Sequence, residues 1–443
     1  MHVSSIVCLD DLVREDTWPA SEFVLDLVRL PIFHASGLRV GKTPHRPDGH
    51  GLKPGFCLTQ FRALCQTDGQ MPTWHALHHT VPAAAADYLL RHLPDDALVL
   101  GHEMAPWLIQ LLDNADLAWI DLRVSPLRFG SDLIMGLRTN RAEIHAAVAP
   151  LALGTTELVA EASQMAARTR LRRRGEAQLR LPADPVVYVG QPECEPSLVD
   201  TDGRIVRASD HADTLYRLAR TGPMLYLADP RAGDFARIER EMLERVTGHR
   251  VQLCEMDAYE LLACDDEITL VGLSSAVLQE AQWFARKAYA LHGSFAVPSF
   301  EPMPTPDGYL QIASHVLLGE ALWSAALLQP PRGALISAPP RANLLRELRN
   351  DWAGYAEATL RGSTLVREAF VQAGGLRQAD ALRRTENELA HTRDELRQLR
   401  TELDQLRRVL DETARIAANA AALARPAPPP RAKHGATARN AAA

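Results

Sequence analysis

Three apolar runs in the second half of the chain each stop at a small or polar residue. They are residues 186–189, 224–227 and 268–271. Such β-branched, apolar runs are typical of buried parallel strands that end in loops. The third run is followed by Ser274 and Ser275 and then by a stretch with helical pattern over 276–291, so both serines are expected at a helix N-terminus, which suits an anion. Ligands bind at the carboxyl ends of strands in open α/β sheets, so the pattern predicts a nucleotide or phosphate site.

The first half of the chain alternates short apolar runs with helical periods. Residues 97–101 and 117–121 are predicted to be strands, and residues 105–112 a helix between them. This order predicts a βαβ unit. The whole chain is therefore expected to be an α/β protein with two Rossmann-like domains.

Composition shifts suggest the boundaries, since an Arg/Ala-rich and then Pro-containing stretch separates the two alternating regions. The predicted parts are an N-terminal domain (1–165), a linker (166–184), a C-terminal domain (185–330), a helical return segment (339–373), a coiled coil (376–418) and a disordered tail (424–443).

A strict seven-residue leucine repeat predicts the coiled coil. The leucines are Leu382, Leu389, Leu396, Leu403 and Leu410. When the leucines occupy heptad position a, the g positions hold glutamate and the e positions of the next heptad hold arginine. Every g–e′ contact of a parallel pair then joins opposite charges. The register favours a parallel homo-oligomer over 382–413; a single solvated helix packed on its own domain stays open. The mixed Leu/Thr seam does not distinguish a dimer from a trimer.

The bulk composition narrows the partners and the compartment. The chain has 443 residues and a net charge of −7, which argues against nucleic acid. Six cysteines without a C-x-x-C pair favour reduced thiols, and the N-terminus does not resemble a signal peptide. The apolar stretch 309–328 contains His315 and Glu320 and is predicted to be a buried helix. We expect a protein that is cytoplasmic or peripheral to the inner membrane, without a cofactor.

Two further patterns are weak. Residues 37–43 resemble a phosphate-binding P-loop, but three residues separate the glycines where four are needed, so a basic loop is favoured. His75, His78 and His79 invite a metal reading, but no carboxylate or cysteine set stands nearby at a ligand spacing. No metal site is predicted.

Two carboxylates follow the predicted strands of the first half. Glu103 follows one strand, and Asp121 closes the next. At adjacent strand ends they would face one cleft, where a general base belongs, so both are candidate catalytic residues. The alternative is that they cap helices or pair with Arg123 and Arg128. Arg128 lies in a polar-aromatic loop, 125–132, which either lines an acceptor pocket or begins a helix capped by Ser131.

Candidate nucleotide-binding residues follow the three strands of the second half. A glycine permits close backbone approach, a glutamine can bond a base or sugar, and an arginine suits a phosphate. The candidates are Gly190, Gln191, Asp229, Pro230, Arg231, Gly272, Ser274 and Ser275.

The order of Gly190-Gln191-Pro192, the string Tyr226-Leu227-Ala228-Asp229-Pro230-Arg231 and then Gly272-Leu273-Ser274-Ser275 resembles bacterial sialyltransferases and polysialyltransferases over residues 186–277. The resemblance implies a GT-B architecture and a CMP-activated sugar donor. It places the family's His-Pro motif at Asp229-Pro230 and its serine motif at Ser274-Ser275, both holding the CMP.

The chain departs from that family at one important position. Asp229 replaces the family's histidine, and an aspartate opposes leaving-phosphate charge unless it is protonated or bound to a cation. The family's acidic motif has only partial matches, Asp48-Gly49 and Asp68-Gly69. The resemblance implies a glycosyltransferase that moves a CMP-linked acidic sugar to a surface glycan. The alternative is an inactive GT-B-like scaffold that oligomerises through the coiled coil, and an epimerase is a third reading.

Overall fold

A computed structural model describes residues 3–14, 18–45, 50–67, 70–130, 133–173, 181–229, 232–293, 298–299 and 308–330. The predicted return segment, coiled coil and tail lie outside these residues.

The elements alternate between strands and helices, as the sequence pattern predicts. The strands are β1 Ser5–Leu9, β2 Ala97–His102, β3 Ala118–Val124, β4 Ile134–Thr139, β5 Val186–Val189, β6 Met224–Leu227, β7 Gln252–Leu253, β8 Thr269–Gly272, β9 Lys287–Ala290, β10 Pro298–Ser299 and β11 Tyr309–Ala313. The helices are α1 Trp18–Ser36, α2 Leu58–Leu64, α3 Ala83–His92, α4 Pro106–Asn114, α5 Ala142–Val148, α6 Thr155–Arg173, α7 Ala212–Ala219, α8 Phe235–Thr247, α9 Ala258–Ala263, α10 Ala276–Glu280, α11 Ser314–Leu317 and α12 Glu320–Ala326. Short 3₁₀ turns lie at Trp74–Leu77, Ala149–Leu151, Pro196–Leu198, Ala208–His211 and Ala281–Phe284.

The first sheet is mixed and has the order β1-β2-β3-β4-β11-β10. Strands β1, β2 and β3 are parallel, whereas β4 runs antiparallel to both β3 and β11. The β2 residues are buried throughout, since helices cover both faces of a sheet built from βαβ crossovers. The register pairs Gly101 with Asp121, so β2 and β3 end side by side.

The second sheet has the order β7-β6-β5-β8-β9 and is parallel throughout. Its central strands β5, β6 and β8 correspond to the apolar runs at 186–189, 224–227 and 268–271. Together the two sheets confirm the predicted α/β class with parallel strands. The domain boundaries stay a prediction.

One apolar cluster spans both halves of the described chain. Leu127 and Phe129, from the loop after β3, belong to the same buried cluster as Val187 of β5 and Leu225 of β6. Burying side chains of this size from water stabilises the fold by about 1.5–3 kcal/mol each. The loop that holds Arg128 is therefore fixed against the second sheet.

Two predicted helices differ from the structure. The stretch 276–291 holds only α10 and a 3₁₀ turn, because Ala285 takes a left-handed conformation at φ +56° and the chain then enters β9. The stretch 309–328 begins with β11, which pairs with β4, before α11 and α12 follow. A short apolar run fits a buried strand as well as a buried helix. The sequence assigns this stretch to the C-terminal domain, but its strand β11 lies in the first sheet.

Within the described ranges, none of the helices has the length and apolar character needed to cross a membrane.

Candidate functional site

The first part of the site lies at the carboxyl ends of β2 and β3. Glu103 follows β2 directly, is half-buried, and takes a left-handed backbone conformation at φ +54°. Its backbone N–H donates to the carbonyl of Leu122 at 2.9 Å. A left-handed non-glycine residue is uncommon and stores strain that its surroundings have to offset. Glu103 is therefore held at the strand end by its neighbours.

Asp121 supplies part of that support. Its carboxylate is fully buried, and its Oδ1 accepts the backbone N–H of Met104 at 2.9 Å. Its Oδ2 accepts the hydroxyl of Tyr309, from β11, at 2.6 Å. Both oxygens are thus engaged, as buried carboxylates require. Asp121 therefore fixes the turn that carries Glu103 through bonds to Met104 and Tyr309, which are neither a helix cap nor an ion pair. Its catalytic role stays a prediction.

Three arginines and one buried histidine act on the Glu103 carboxyl. Burial alone raises the pKa of the Glu103 carboxyl, but His102, Arg123, Arg14 and Arg128 together hold it below its ordinary value. Arg123 is itself buried, with its guanidinium 5.5 Å from the centre of the Tyr309 ring. An ionised carboxylate at a strand end is able to accept a proton from a bound hydroxyl.

We expect Tyr309→Phe to lower the free energy of unfolding by about 1–3 kcal/mol, because the buried Asp121 oxygen loses its donor. Urea unfolding measures the change. Tyr289→Phe is the matched control, since Tyr289 is 51% exposed on the edge strand β9. Equal effects of the two substitutions would contradict the assigned bond.

The loop after β3 joins the two sheets. The Arg128 backbone N–H donates to Oε1 of Glu280, at the end of α10, at 2.6 Å. Tyr259 from α9 donates its hydroxyl to the same oxygen at 3.1 Å. Arg128 itself is half-buried and acts on the Glu103 carboxyl. Its side chain therefore stays a candidate for binding the sugar acceptor. Ser131 lies outside the described residues.

The second part of the site lies at the carboxyl ends of β5 and β8. Oε1 of Gln191 accepts the backbone N–H of Ser274 at 3.0 Å, and its Nε2 lies 3.2 Å from Oγ of Ser274. That hydroxyl also donates to Oγ of Ser197 at 2.9 Å. Two loops 83 residues apart are thereby fastened together. Gln191 and Ser274 are both buried, so their bond fixes the ends of the two strands relative to each other.

Ser275 and Asp229 are the more accessible groups at this edge. Both are half-buried. Ser275 is the N-cap of α10 and makes no side-chain capping bond, while the Asp229 carbonyl accepts the N–H of Ala232 at 3.0 Å. Pro230 and Arg231 lie outside the described residues.

Two predicted glycines are required by close approach. A Cβ on Gly272 would lie 2.7 Å from the carbonyl oxygen of Val189 in β5. A Cβ on Gly190 would lie 2.3 Å from Oη of Tyr226 in β6. Any side chain at these positions forces the strands or the loop apart.

The structure shows the surroundings of one residue in each of the two weak patterns. Residues 37–43 follow α1, whose end is closed by the Gly37 N–H donating to the Phe33 carbonyl at 2.7 Å, so no helix begins there. Nδ1 of His75 lies 2.7 Å from the carbonyl oxygen of Gly203. Across the described ranges, no three His, Cys, Asp or Glu side chains are grouped so as to hold a metal ion.

Sequence reasoning missed the carboxylates that follow β1. Asp10 is buried, with Oδ2 3.2 Å from Nε2 of His45. Asp11 is buried beside it, and burial raises its pKa to about 6. The signal was present, because β1 is an apolar run that stops at two acidic residues. The partial acidic motifs considered from the sequence, 48–49 and 68–69, lie outside the described residues.

These contacts define an α/β protein whose two sheets carry polar residues at their carboxyl edges. No family model matches the chain, and no curated protein sequence does. Among solved structures, the chain is similar to KpsC of Thermosulfurimonas dismutans, a beta Kdo 2,4 transferase, at a TM-score of 0.30 and 16% identity over 52% of this chain and 78% of that one.

A KpsC of the same organism, a beta Kdo 2,7 transferase, is similar at a TM-score of 0.28 and 11% identity over 61% of this chain and 88% of that one. Likenesses at this level carry no functional inference.

Proposed function

We propose that the protein is a glycosyltransferase that moves a sugar from a nucleotide-activated donor to a surface-glycan acceptor. The observation that carries this is the Gln191–Ser274 bond, which joins the ends of β5 and β8 into one polar rim on a wholly parallel sheet. The carboxyl edge of such a sheet is where nucleotides bind in α/β proteins.

In this proposal the donor lies against the rim of the second sheet. Ser275 supplies a hydroxyl to the donor phosphate, and Gly190 and Gly272 allow close approach of the ligand to the backbone. Arg231 offsets phosphate charge where Asp229 does not. Following the sequence resemblance, the donor is a CMP-linked acidic sugar.

The acceptor enters from the first sheet. Glu103 removes the proton of the attacking hydroxyl, and the Arg128 loop lines the acceptor side. The bond between Glu280 and this loop fixes the acceptor-side residues relative to α10, which begins directly after the donor-side serines. Positioning of this kind is a large part of the rate enhancement in transfer reactions. The parallel coiled coil over 382–413 would join copies of the chain and raise effective concentration on a long acceptor.

The direct test is a transfer assay with the full-length protein. The protein is incubated with CMP-activated acidic sugars and oligosaccharide acceptors, and both released CMP and the extended glycan are measured. Acceptor-dependent CMP release is expected. CMP release without glycan extension would indicate hydrolysis and contradict the proposal.

A second candidate function is a non-catalytic scaffold that binds a nucleotide and oligomerises. Asp229 favours it, because an acidic group beside the donor phosphate disfavours departure of a charged leaving group. Tight CMP binding without turnover would support this candidate, and acceptor-dependent turnover would exclude it.

The serine pair gives a more local prediction. Ser275→Ala removes a hydroxyl with no capping bond, so we expect weaker nucleotide binding with an unchanged melting temperature. Ser274→Ala removes the side-chain bonds to Gln191 and Ser197. We expect it to weaken nucleotide binding and also to lower the melting temperature. The double variant should lose nucleotide binding and remain folded. Isothermal titration and thermal melting measure the two effects, and full nucleotide affinity in the double variant would contradict the site.

A further inference from the structure

A buried carboxylate lies beneath the loop that follows β5. Glu239, on α8, is only 1% exposed. The Tyr226 hydroxyl donates to its Oε2 at 2.9 Å, and the Tyr188 hydroxyl donates to its Oε1 at 3.1 Å. The two tyrosine rings stack with centroids 6.1 Å apart. The carboxylate is therefore held by two neighbouring strands of the second sheet.

The same carboxylate also holds the loop above it. The backbone amide of Gln191 faces Glu239 and lowers the pKa of its carboxyl. Because Gly190 has no side chain, the loop can lie directly on this group: a Cβ there would be 3.1 Å from Oε2 of Glu239. The Gln191 side chain in turn accepts the N–H of Ser274. The close approach of Gly190 to Glu239 and the Gln191–Ser274 bond thus connect this carboxylate to the rim of the sheet.

We propose that Glu239 is a positioning residue for the nucleotide, and that its negative charge holds the Gly190-Gln191 loop in the conformation that binds the donor. This rests on the proposed function, which places a nucleotide at this rim. Glu239 is too deeply buried to touch the ligand itself. It acts through Gln191 and Ser274.

The proposal makes nucleotide affinity depend on the protonation of Glu239. The groups that face its carboxyl are Tyr188 of β5, Tyr226 of β6, the Gln191 amide, and Arg207 ahead of the 3₁₀ turn Ala208–His211. Asp229 and Arg240 act on the Tyr226 hydroxyl from nearby.

Burial raises the pKa of Glu239 to about 7, although its hydrogen bonds and Arg207 oppose the rise. A carboxylate accepts all of these bonds, whereas a protonated carboxyl turns one oxygen into a donor. The loop should therefore be held less firmly as the pH falls below 7, and nucleotide binding should weaken.

Isothermal titration of the full-length protein tests this, with CMP, UDP and GDP as probes between about pH 5.5 and 8.5. Glu239→Gln keeps the shape but lacks the charge. Wild type should bind about tenfold more tightly than Glu239→Gln at the alkaline end, and this ratio should fall toward one at the acid end. The nucleotide's own phosphate ionises near pH 6, but it does so equally with both proteins. A ratio that stays constant with pH would overturn the proposal.

The two tyrosines supply a matched pair of variants that does not depend on Glu239→Gln folding. Each hydroxyl donates one bond to Glu239, and that of Tyr226 would be the atom nearest to a Cβ on Gly190. Tyr226→Phe should weaken nucleotide binding several-fold more than Tyr188→Phe, although both should lower stability similarly. Equal losses of affinity would contradict a positioning role. Absence of nucleotide binding by wild type at every pH would instead refute the proposed function and this inference with it.

Discussion

Glu103→Gln is expected to lower kcat by about 10²–10⁴-fold, the range that a positioned general base contributes, while nucleotide affinity stays unchanged. The amide keeps the size of the side chain but cannot take the acceptor's proton. The left-handed backbone at this residue is tolerated equally by glutamate and glutamine, so the fold should persist. Single-turnover assays with saturating donor measure the loss, and thermal melting checks the fold.

The matched control is Glu143→Gln, an exposed glutamate in the first turn of α5. It removes the same charge far from the strand ends and should leave kcat unchanged. If Glu103→Gln retained full kcat, the base would have to be another group. Asp11, whose pKa burial raises to about 6, would then be tested next by Asp11→Asn.

Glu280→Ala is the substitution with the largest expected effect on stability. Glu280 is 2% exposed and accepts the backbone N–H of Arg128 and the hydroxyl of Tyr259. Removing the carboxyl leaves these buried donors without their acceptor, so we expect a loss of roughly 3 kcal/mol or more. Chemical denaturation measures it. Glu241→Ala, which breaks only an exposed pair with Arg237, should lower stability by less than about 0.5 kcal/mol.

A milder variant, Glu280→Gln, should change the pH dependence of stability in a defined direction. Burial raises the pKa of Glu280 from its ordinary 4.5 to about 7 in the folded protein. The folded state therefore binds this proton more tightly than the unfolded state does, and the resulting stability is lost as the pH rises through 7. The difference in free energy of unfolding between wild type and Glu280→Gln should shrink from pH 4.5 to 7 and then level off. A difference that grew with pH would contradict the assigned environment.

The strands of both sheets could be predicted where apolar runs are long and end sharply. Residues 97–101 and 117–121 correspond to β2 and β3, and the three runs of the second half correspond to β5, β6 and β8. The helix predicted over 105–112 corresponds to α4. In each case the local pattern and the tertiary environment agree, because a strand covered on both faces needs apolar residues throughout.

Other elements depend on contacts that no local pattern contains. The run at 309–313 reads equally as helix or strand, and its pairing with β4 decides the matter. The end of the helix predicted at 276–291 is set by Ala285, which has no sequence signal for a left-handed conformation. β4 and β11 are also neighbours in the sheet although they are far apart in the sequence, which a local pattern does not indicate.

Glu239, the carboxylate beneath the rim, was beyond sequence reasoning for a similar reason. Glu239 lies on a helix rich in charged residues, where the pattern alone suggests a solvated face. It is buried because Tyr188 and Tyr226 of the underlying sheet provide donors for it. The rim residues could be found from the strand ends, but the groups that hold them could not.

The claim that the second sheet carries a nucleotide site is tested most directly by a thermal-shift titration of the full-length protein with CMP, UDP, GDP and their sugars. The account predicts a melting temperature that rises with CMP compounds and continues to rise with ligand concentration, as binding to the folded state requires. A rise with UDP or GDP compounds alone would keep the site and refute the CMP-linked donor. No rise with any of them would contradict the nucleotide site itself.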